Sequence, residues 1–319
     1  MLPGPCKNPR GSPSNTHHHS ETFMNRARIG IIGGSGLYQM PGLTDVEEIT
    51  LDTPFGAPSD KICVGRLAGV EVAFLARHGR SHSWIPSQIP YRANIYALKS
   101  LGVQYLLSVS AVGSMREEIA PLDMVLPDQF IDLTRRREGS FFGDGAVAHV
   151  SLADPVCPVL SQVMADAFGE CDLQGIRLHR GGTYVCIEGP AFSTRAESIW
   201  FRGMGASVIG MTNMPEVRLA REAEIAYATL ALATDWDCWH PHQACVTAEM
   251  AISNLRGNAE RAQRLLRRAV ERLAAEWPTS TAHTALDAAL VTPIPAMTAE
   301  VRQRLAALLA RRETTAVGS

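Results

Sequence analysis

Two carboxylates one residue apart, Asp235 and Asp237, close the apolar run from Ile225 to Ala233. Such a run reads as a strand buried on both faces of a mostly parallel sheet, and ligands of open α/β sheets bind beyond the carboxyl ends of such strands. On an extended backbone, positions i and i+2 project to one face. The two acids would then share a small volume, and mutual repulsion would raise at least one pKa and leave a proton available near neutrality. The competing reading is an exposed acidic turn. Other strand ends carry complementary groups. Ser35 follows the strand-like Ile29 to Ile32 in Gly33-Gly34-Ser35-Gly36, where backbone amides and a hydroxyl can cradle an anion. Arg77 and His78 follow Val70 to Leu75, and a guanidinium fork suits a pair of phosphate oxygens, with a solvated basic turn as the alternative. Ser110 ends the segment from Gln104, and Met211-Thr212 follows Ser207 to Gly210. Phe192, just beyond Gly182 to Ile187, either stacks on a planar ligand or fills a core.

Five strand ends therefore carry hydroxyl, cationic or acidic groups. Hydroxyls and one arginine, without lysine or a set of metal ligands, suit a small oxyanion such as phosphate better than a polyphosphate with magnesium. The glycine turn at residues 33–36 matches neither GxGxxG nor a lysine-bearing P-loop, which disfavours dinucleotides and nucleoside triphosphates.

The elements that must hold these groups read as an α/β alternation. A hairpin over Ile62 to Arg66 and Val70 to Leu75 turns at Ala68-Gly69. Helical spacing marks Ile89 to Leu101, Pro158 to Phe168, Ala196 to Met204 and residues 216–224. A long amphipathic helix spans residues 245–277, with Leu255, Ala259, Ala262, Leu266, Ala269 and Leu273 on one side. The polar segment 133–153, which contains His149, is long enough to suggest a functional loop or an interface. Three regions follow: a disordered extension over residues 1–27, an α/β domain over 28–277, and a C-terminal extension over 278–319. That last region ends in a helix carrying Met297, Val301, Leu305 and Leu308 on one face. His17-His18-His19 lies in the first region with no further ligand nearby, and His240 with His242 lacks a third, so no metal is expected.

Composition narrows the classes. Thirty basic residues against 32 acidic ones give a net charge of -2, so no global field favours nucleic acid or a membrane surface. Seven cysteines without CxxC spacing read as reduced thiols of a cytoplasmic protein. The longest apolar run is too short to span a bilayer, and no secretory signal is visible.

The residues in order also resemble a known family. Ile31-Ile32-Gly33-Gly34-Ser35-Gly36-Leu37, Thr53-Pro54-Phe55-Gly56, Ala76-Arg77-His78-Gly79-Arg80, Gly113-Ser114 with Arg116-Glu117-Glu118, Asp128 to Asp132, Ile187-Glu188-Gly189-Pro190, Met211-Thr212 with Pro215-Glu216-Val217, and Ala233 to Trp239 are similar to the 5′-methylthioadenosine phosphorylases. These belong to the trimeric type of purine nucleoside phosphorylase. The resemblance implies a nucleoside-phosphorylase α/β fold, a central mixed sheet flanked by helices. It also implies phosphorolysis of methylthioadenosine to adenine and methylthioribose 1-phosphate, in methionine and purine salvage. Inorganic phosphate would be the co-substrate, with no cofactor, and the partners would be the nucleoside and other copies in a homotrimer. Ser35, Arg77, His78, Ser110 and Thr212 would hold phosphate, and Met211 would pack on the ribose. Phe192, Ser193 and Ala248 would line the substrate pocket, and His149 would reach a neighbour's pocket. Asp235 would protonate or hydrogen-bond purine N7, and Asp237 would receive the 6-amino group.

Relatives acting on 6-oxopurines carry asparagine at the position of Asp235 and glutamate at that of Ser193, so this chain points to 6-aminopurines. Three features depart from the family pattern: Ala248 and Ala251 in place of valines, Gly210 in place of asparagine, and Ala191 in place of arginine. The first leaves a broader purine nucleoside or methylthioinosine phosphorylase as the alternative. A hydrolytic nucleosidase and a non-catalytic nucleoside binder are the more distant rivals.

Overall fold

The computed structural model describes residues 26–34, 40–241 and 247–317. His17-His18-His19, Ser35 and His242 lie outside the described residues. Along the chain run β1 (Ile29–Gly33), β2 (Leu43–Ile49), β3 (Ile62–Leu67), β4 (Val70–Ala76), α1 (Tyr91–Ser100), β5 (Tyr105–Ser114), β6 (Met124–Leu126), β7 (Gln129–Asp132), α2 (Pro158–Glu170), β8 (Leu178–Arg180) and β9 (Thr183–Cys186). Then come α3 (Arg195–Gly203), β10 (Ala206–Gly210), α4 (Asn213–Glu222), β11 (Ala226–Asp235), α5 (Ala248–Glu276), α6 (Ala299–Arg304) and α7 (Ala306–Val317).

The strands form one mixed sheet whose path is β2-β3-β4-β1-β5-β10-β9-β7, with β11 pairing β5 and β6, and β8 pairing β6. Its central strands alternate between two apolar layers, as period-two geometry requires. Ile32 and Leu106 enter the layer closed by Ile95, Leu98, Val217 and Leu219 of α1 and α4. Ile31, Tyr105 and Leu107 enter the opposite layer, closed by Leu160 and Met164 of α2 and by Leu265, Leu266, Ala269 and Leu273 of α5. The expected hairpin forms between β3 and β4, where Ala68 and Gly69 both take positive φ, the combination that matches strand twist in a two-residue turn. Strand β2 has no counterpart in the sequence reading. Only its Ile49 is buried, so no apolar alternation announces it.

The edge of β5 decides where a ligand can enter. From Tyr105 to Ser108 this strand pairs with β1, and at Gly113 and Ser114 it pairs with β10 on the same side. Between those two partners the stretch Val109 to Val112 has no neighbouring strand there, while β11 pairs its other edge continuously from Tyr105 to Val112. A gap in the sheet opens at that point.

The C-terminal segment is built into the body. Met297, Val301, Leu305, Leu308 and Leu309 join the same apolar layer as α1 and α4, and the single helix expected there is two, α6 and α7. The long loop 133–153 is pinned beneath it: Phe141 is buried in that layer, Glu222 accepts from the Phe141 amide, and the His149 amide donates to Ala289. No helix among the described residues is long and apolar enough to cross a membrane. Leu305 is fully buried. Truncation in Leu305→Ala removes packing that surrounding helices cannot refill, so a loss of about 2–5 kcal/mol is expected in urea unfolding.

Candidate active site

A cleft of about 450 Å³ opens at the gap in β5, within the range of small-molecule sites. Its wall brings together Arg77 and His78 from the end of β4, Ser110 from β5, Phe192 and Ser193 from the turn after β9, Met211 and Thr212 after β10, and Asp235 and Asp237 at the end of β11. These are the groups singled out in the sequence, apart from three. Ser35 lies outside the described residues, although the adjoining Gly34 lines the cleft. Ala248 opens α5, but its side chain is also outside the described residues, and α5 reaches the cleft through Ala259 and Ala262. His149 is exposed and does not line this cleft.

At one end, Arg77 fills the fork between β1 and β5. Its Nη1 donates to the Val109 carbonyl at 2.9 Å, and its Nη2 lies 3.5 Å from the Ile32 carbonyl, the last residue of β1 still paired with β5. Glu216 of α4 accepts from Arg77 Nε at 2.7 Å and from Nη2 at 2.9 Å. Ser108 and Tyr227 donate further hydrogen bonds to the same carboxylate. Both charged side chains are buried, at 2% and 0% exposure. Burial opposes the Arg77 charge, but Glu216 outweighs it and holds the guanidinium above its ordinary pKa. The planar fork expected to meet an oxyanion is thus closed on Glu216, and Arg77 presents only its remaining edge to the cleft. His78 accompanies it as a neutral ring. Burial and the neighbouring Arg77 lower its pKa to about 4, against the hydrogen bond between Nδ1 and the Trp84 carbonyl at 2.8 Å. That carbonyl can only accept, so Nδ1 carries the hydrogen.

At the other end, the strand β11 slips register between Ala233 and Asp235, and the extra residue, Thr234, turns Asp235 toward the cleft. The acidic pair does not have the expected extended i, i+2 geometry. Asp237 lies past the strand end with φ of 49°, and its backbone N–H donates to Asp235 Oδ1 at 2.7 Å. Both residues are only 5% exposed. Their pKa values are raised, first by burial; repulsion from Asp237 is the least of the causes acting on Asp235, so mutual charge is not the main source. Thr234 Oγ1 donates to Asp235 Oδ2 at 2.7 Å, with the Val112 carbonyl at 3.2 Å as a second acceptor. Turning that hydroxyl toward Val112 frees Oδ2 to carry a proton.

The cleft is further lined by Ile187, Pro190, Phe192 and Ile209. Phe192 is 44% exposed, which removes the core reading. Behind it stands Arg137, which sequence reasoning passed over. Its side chain is 1% exposed and donates to the carbonyls of Met211, Met214 and Glu188 and to the Glu188 carboxylate. It thereby ties the turn after β9 to the one after β10. Gly189 completes that junction, since a Cβ there would lie 2.5 Å from Met211 Sδ. Neither Arg137, one of three consecutive arginines in a polar loop, nor Glu216 carries any local signal of burial. Among the described residues no cluster of three or more His, Cys, Asp or Glu could hold a metal ion.

The sequence profile of the phosphorylase superfamily matches residues 28–271. An S-methyl-5′-thioadenosine phosphorylase of Thermosynechococcus vestitus is 59% identical, covering 89% of this chain and 99% of its own length. One of Geobacter sulfurreducens is 54% identical, covering 87% and 96%. Among solved structures, a methylthioadenosine phosphorylase from an Antarctic soil metagenomic library superposes with a TM-score of 0.86 at 60% identity, over 89% of this chain and 99% of that one. The methylthioadenosine phosphorylase of Schistosoma mansoni in complex with adenine superposes with a TM-score of 0.75 at 36% identity, over 78% and 93%.

Two outcomes follow from the Arg77 corner. Glu216→Gln leaves a buried guanidinium without its counter-charge, so unfolding free energy should fall by about 3–5 kcal/mol in denaturant titrations. His78 has a folded pKa of about 4, below the unfolded value of roughly 6.5. The unfolded chain therefore binds more protons between those limits, and stability contributed by the neutral ring is lost as pH falls through that window. His78→Gln should flatten the dependence of Tm on pH between about 4 and 6.5; an unchanged slope would contradict the neutral ring.

Proposed function

Because the chain belongs to the phosphorylase superfamily, we propose that its cleft carries out the reaction for which its relatives are named, phosphorolysis of 5′-methylthioadenosine. The chain is then a pentosyl-transferring enzyme that yields adenine and 5-methylthioribose 1-phosphate. The observation that carries the reading is the pairing, in one cleft, of a hydroxyl-rich oxyanion corner with a dry carboxyl of raised pKa.

Glycosidic cleavage builds positive charge on the ribose ring and negative charge on the departing base. In this assignment Ser110, Thr212, the open edge of Arg77, and Ser35 donate to phosphate beneath C1′, and His78, whose Nε2 carries the lone pair, accepts from a phosphate O–H. Asp235 gives a proton or a hydrogen bond to N7 of the adenine, and Asp237 receives the 6-amino group. Glu216 balances the Arg77 charge and His78 is neutral, so the phosphate keeps most of its negative charge. That charge is then free to stabilise the cationic sugar as it forms, which is where it lowers the barrier. Holding phosphate and nucleoside together supplies much of the remaining rate. Met211 packs on the ribose, Phe192 covers the base, and Ser193 lies beside Asp237, with its carbonyl accepting from Cys238 Sγ.

We assign Ala248 to the 5′ end, where a small side chain leaves room for the methylthio group. We also place His149 at a neighbouring subunit's site in a homotrimer; its exposure, together with that of Ile199 and Trp200 on α3, supports an assembled form. A cytoplasmic role in methionine and purine salvage, with phosphate as the only co-substrate, completes the proposal.

The test is adenine release from methylthioadenosine with and without phosphate, run beside adenosine, methylthioinosine and inosine. Phosphate should be obligatory and the 6-aminopurine nucleosides preferred; turnover that ignores phosphate would mean a hydrolase. Asp235→Asn should lower kcat/KM by about 10²- to 10⁴-fold, the range of a lost general acid. The folded pKa of Asp235 is raised above its unfolded value, so its ionisation weakens the fold as pH climbs through that window. The asparagine variant should accordingly keep or raise its Tm at pH 7.

A further inference from the structure

We infer that Tyr184 is a positioning residue for the phosphate site assigned above, acting through Ser110. Tyr184 stands on β9 beside Val208 of β10, packed against Phe130 with ring centroids 5.4 Å apart. Its side chain is fully buried, and it does not line the cleft. The ring passes over the end of β10 because residue 210 is glycine. A Cβ at Gly210 would lie 1.9 Å from the Tyr184 hydroxyl oxygen and 2.5 Å from Cζ, so any other residue there excludes this placement.

The hydroxyl is thereby carried to the oxyanion corner. It faces the Ser110 hydroxyl and the backbone N–H of Thr212, both of which draw the phenol pKa down against the larger upward push of burial. Among the described residues, neither Tyr184 Oη nor Ser110 Oγ has a completed hydrogen bond. Ser110 is only 7% exposed and lines the cleft. A buried hydroxyl left unpaired is costly, and two of them side by side at the phosphate end form an arrangement that a ligand completes.

Donor and acceptor rules give that arrangement one direction. The Thr212 amide has only a hydrogen to give, and phosphate has mainly lone pairs to accept with. With phosphate bound, the chain would therefore run from Thr212 N–H to Tyr184 Oη, from Tyr184 O–H to Ser110 Oγ, and from Ser110 O–H to a phosphate oxygen. Each donor polarises the next, so the last hydroxyl is a stronger donor than an isolated serine and points in a fixed direction. This lets a corner whose one guanidinium is already matched by Glu216 still bind an anion.

The experiment compares wild type with Tyr184→Phe, which removes only the oxygen. KM for phosphate should rise about 3- to 10-fold, the scale of one hydrogen bond lost, with KM for the nucleoside changed by less than about twofold. The Tm without ligand should hold or rise, because an unpaired buried hydroxyl has gone. The upward shift of Tm on adding phosphate should shrink in the variant. That last readout needs no turnover, so it tests Tyr184 even if methylthioadenosine is not the substrate. Gly210→Ala, which displaces the ring, should show the same phosphate-selective loss together with a lower Tm. A phosphate KM and phosphate-induced Tm shift equal to wild type in Tyr184→Phe would overturn the proposal, as would a loss falling equally on both substrates.

Discussion

The site depends on one interruption in backbone pairing, the stretch of β5 between its last contact with β1 at Ser108 and its first with β10 at Gly113. A sheet that loses a neighbour in mid-strand exposes backbone acceptors, and a buried acceptor without a donor is costly. Arg77 resolves this by donating to Val109 at the branch point, which places a charge in the interior; Glu216 then resolves the charge. Cleft, guanidinium and counter-ion are thus three consequences of a single topological choice. The segment Val109 to Val112, which has no strand neighbour on that edge, lines the resulting cavity, so Ser110 reaches the cleft without any loop being inserted for the purpose.

The two ends of the cleft solve opposite electrostatic problems by the same means, exclusion of water. At the Arg77 end, burial pairs the guanidinium with Glu216 and keeps His78 neutral, leaving hydroxyls, amides and one guanidinium edge as the donors. At the Asp235 end, burial raises two carboxyls that in water would be fully ionised at neutral pH. A reaction that separates charge along the line between these ends gains from both. Burial thus leaves little free positive charge at one end and favours the protonated form of the carboxyls at the other.

Much of the support for the cleft comes from distant parts of the chain. Arg137, from the loop after β7, fastens the turns that present Phe192 and Met211. The C-terminal helices α6 and α7 complete the apolar layer under α1 and α4, and the segment before them pins the loop on which His149 sits. Asn254 of α5 donates to the Thr234 carbonyl at the bulge that aims Asp235. Rigid elements therefore fix groups that themselves lie at strand ends and turns.

The sequence by itself determined the central strands, the turns that follow them and the chemical types at their ends. Apolar run length, residue spacing and glycine turns are local properties, so Asp235, Ser110, Thr212 and the β3–β4 hairpin were legible without a fold. Tertiary structure alone decided which charges meet. Arg77 and Glu216 are 139 positions apart, and neither carries a local sign that it will be buried. It also decided that burial rather than mutual repulsion raises the acidic pair, because a register slip and a left-handed turn replace the extended geometry that spacing suggests. The edge strand β2, the buried Arg137 and the meeting of Tyr184 with Gly210 were hidden for the same reason. Periodicity reports which face of an element is apolar, whereas pairing, desolvation and hydrogen bonding depend on which other element arrives there.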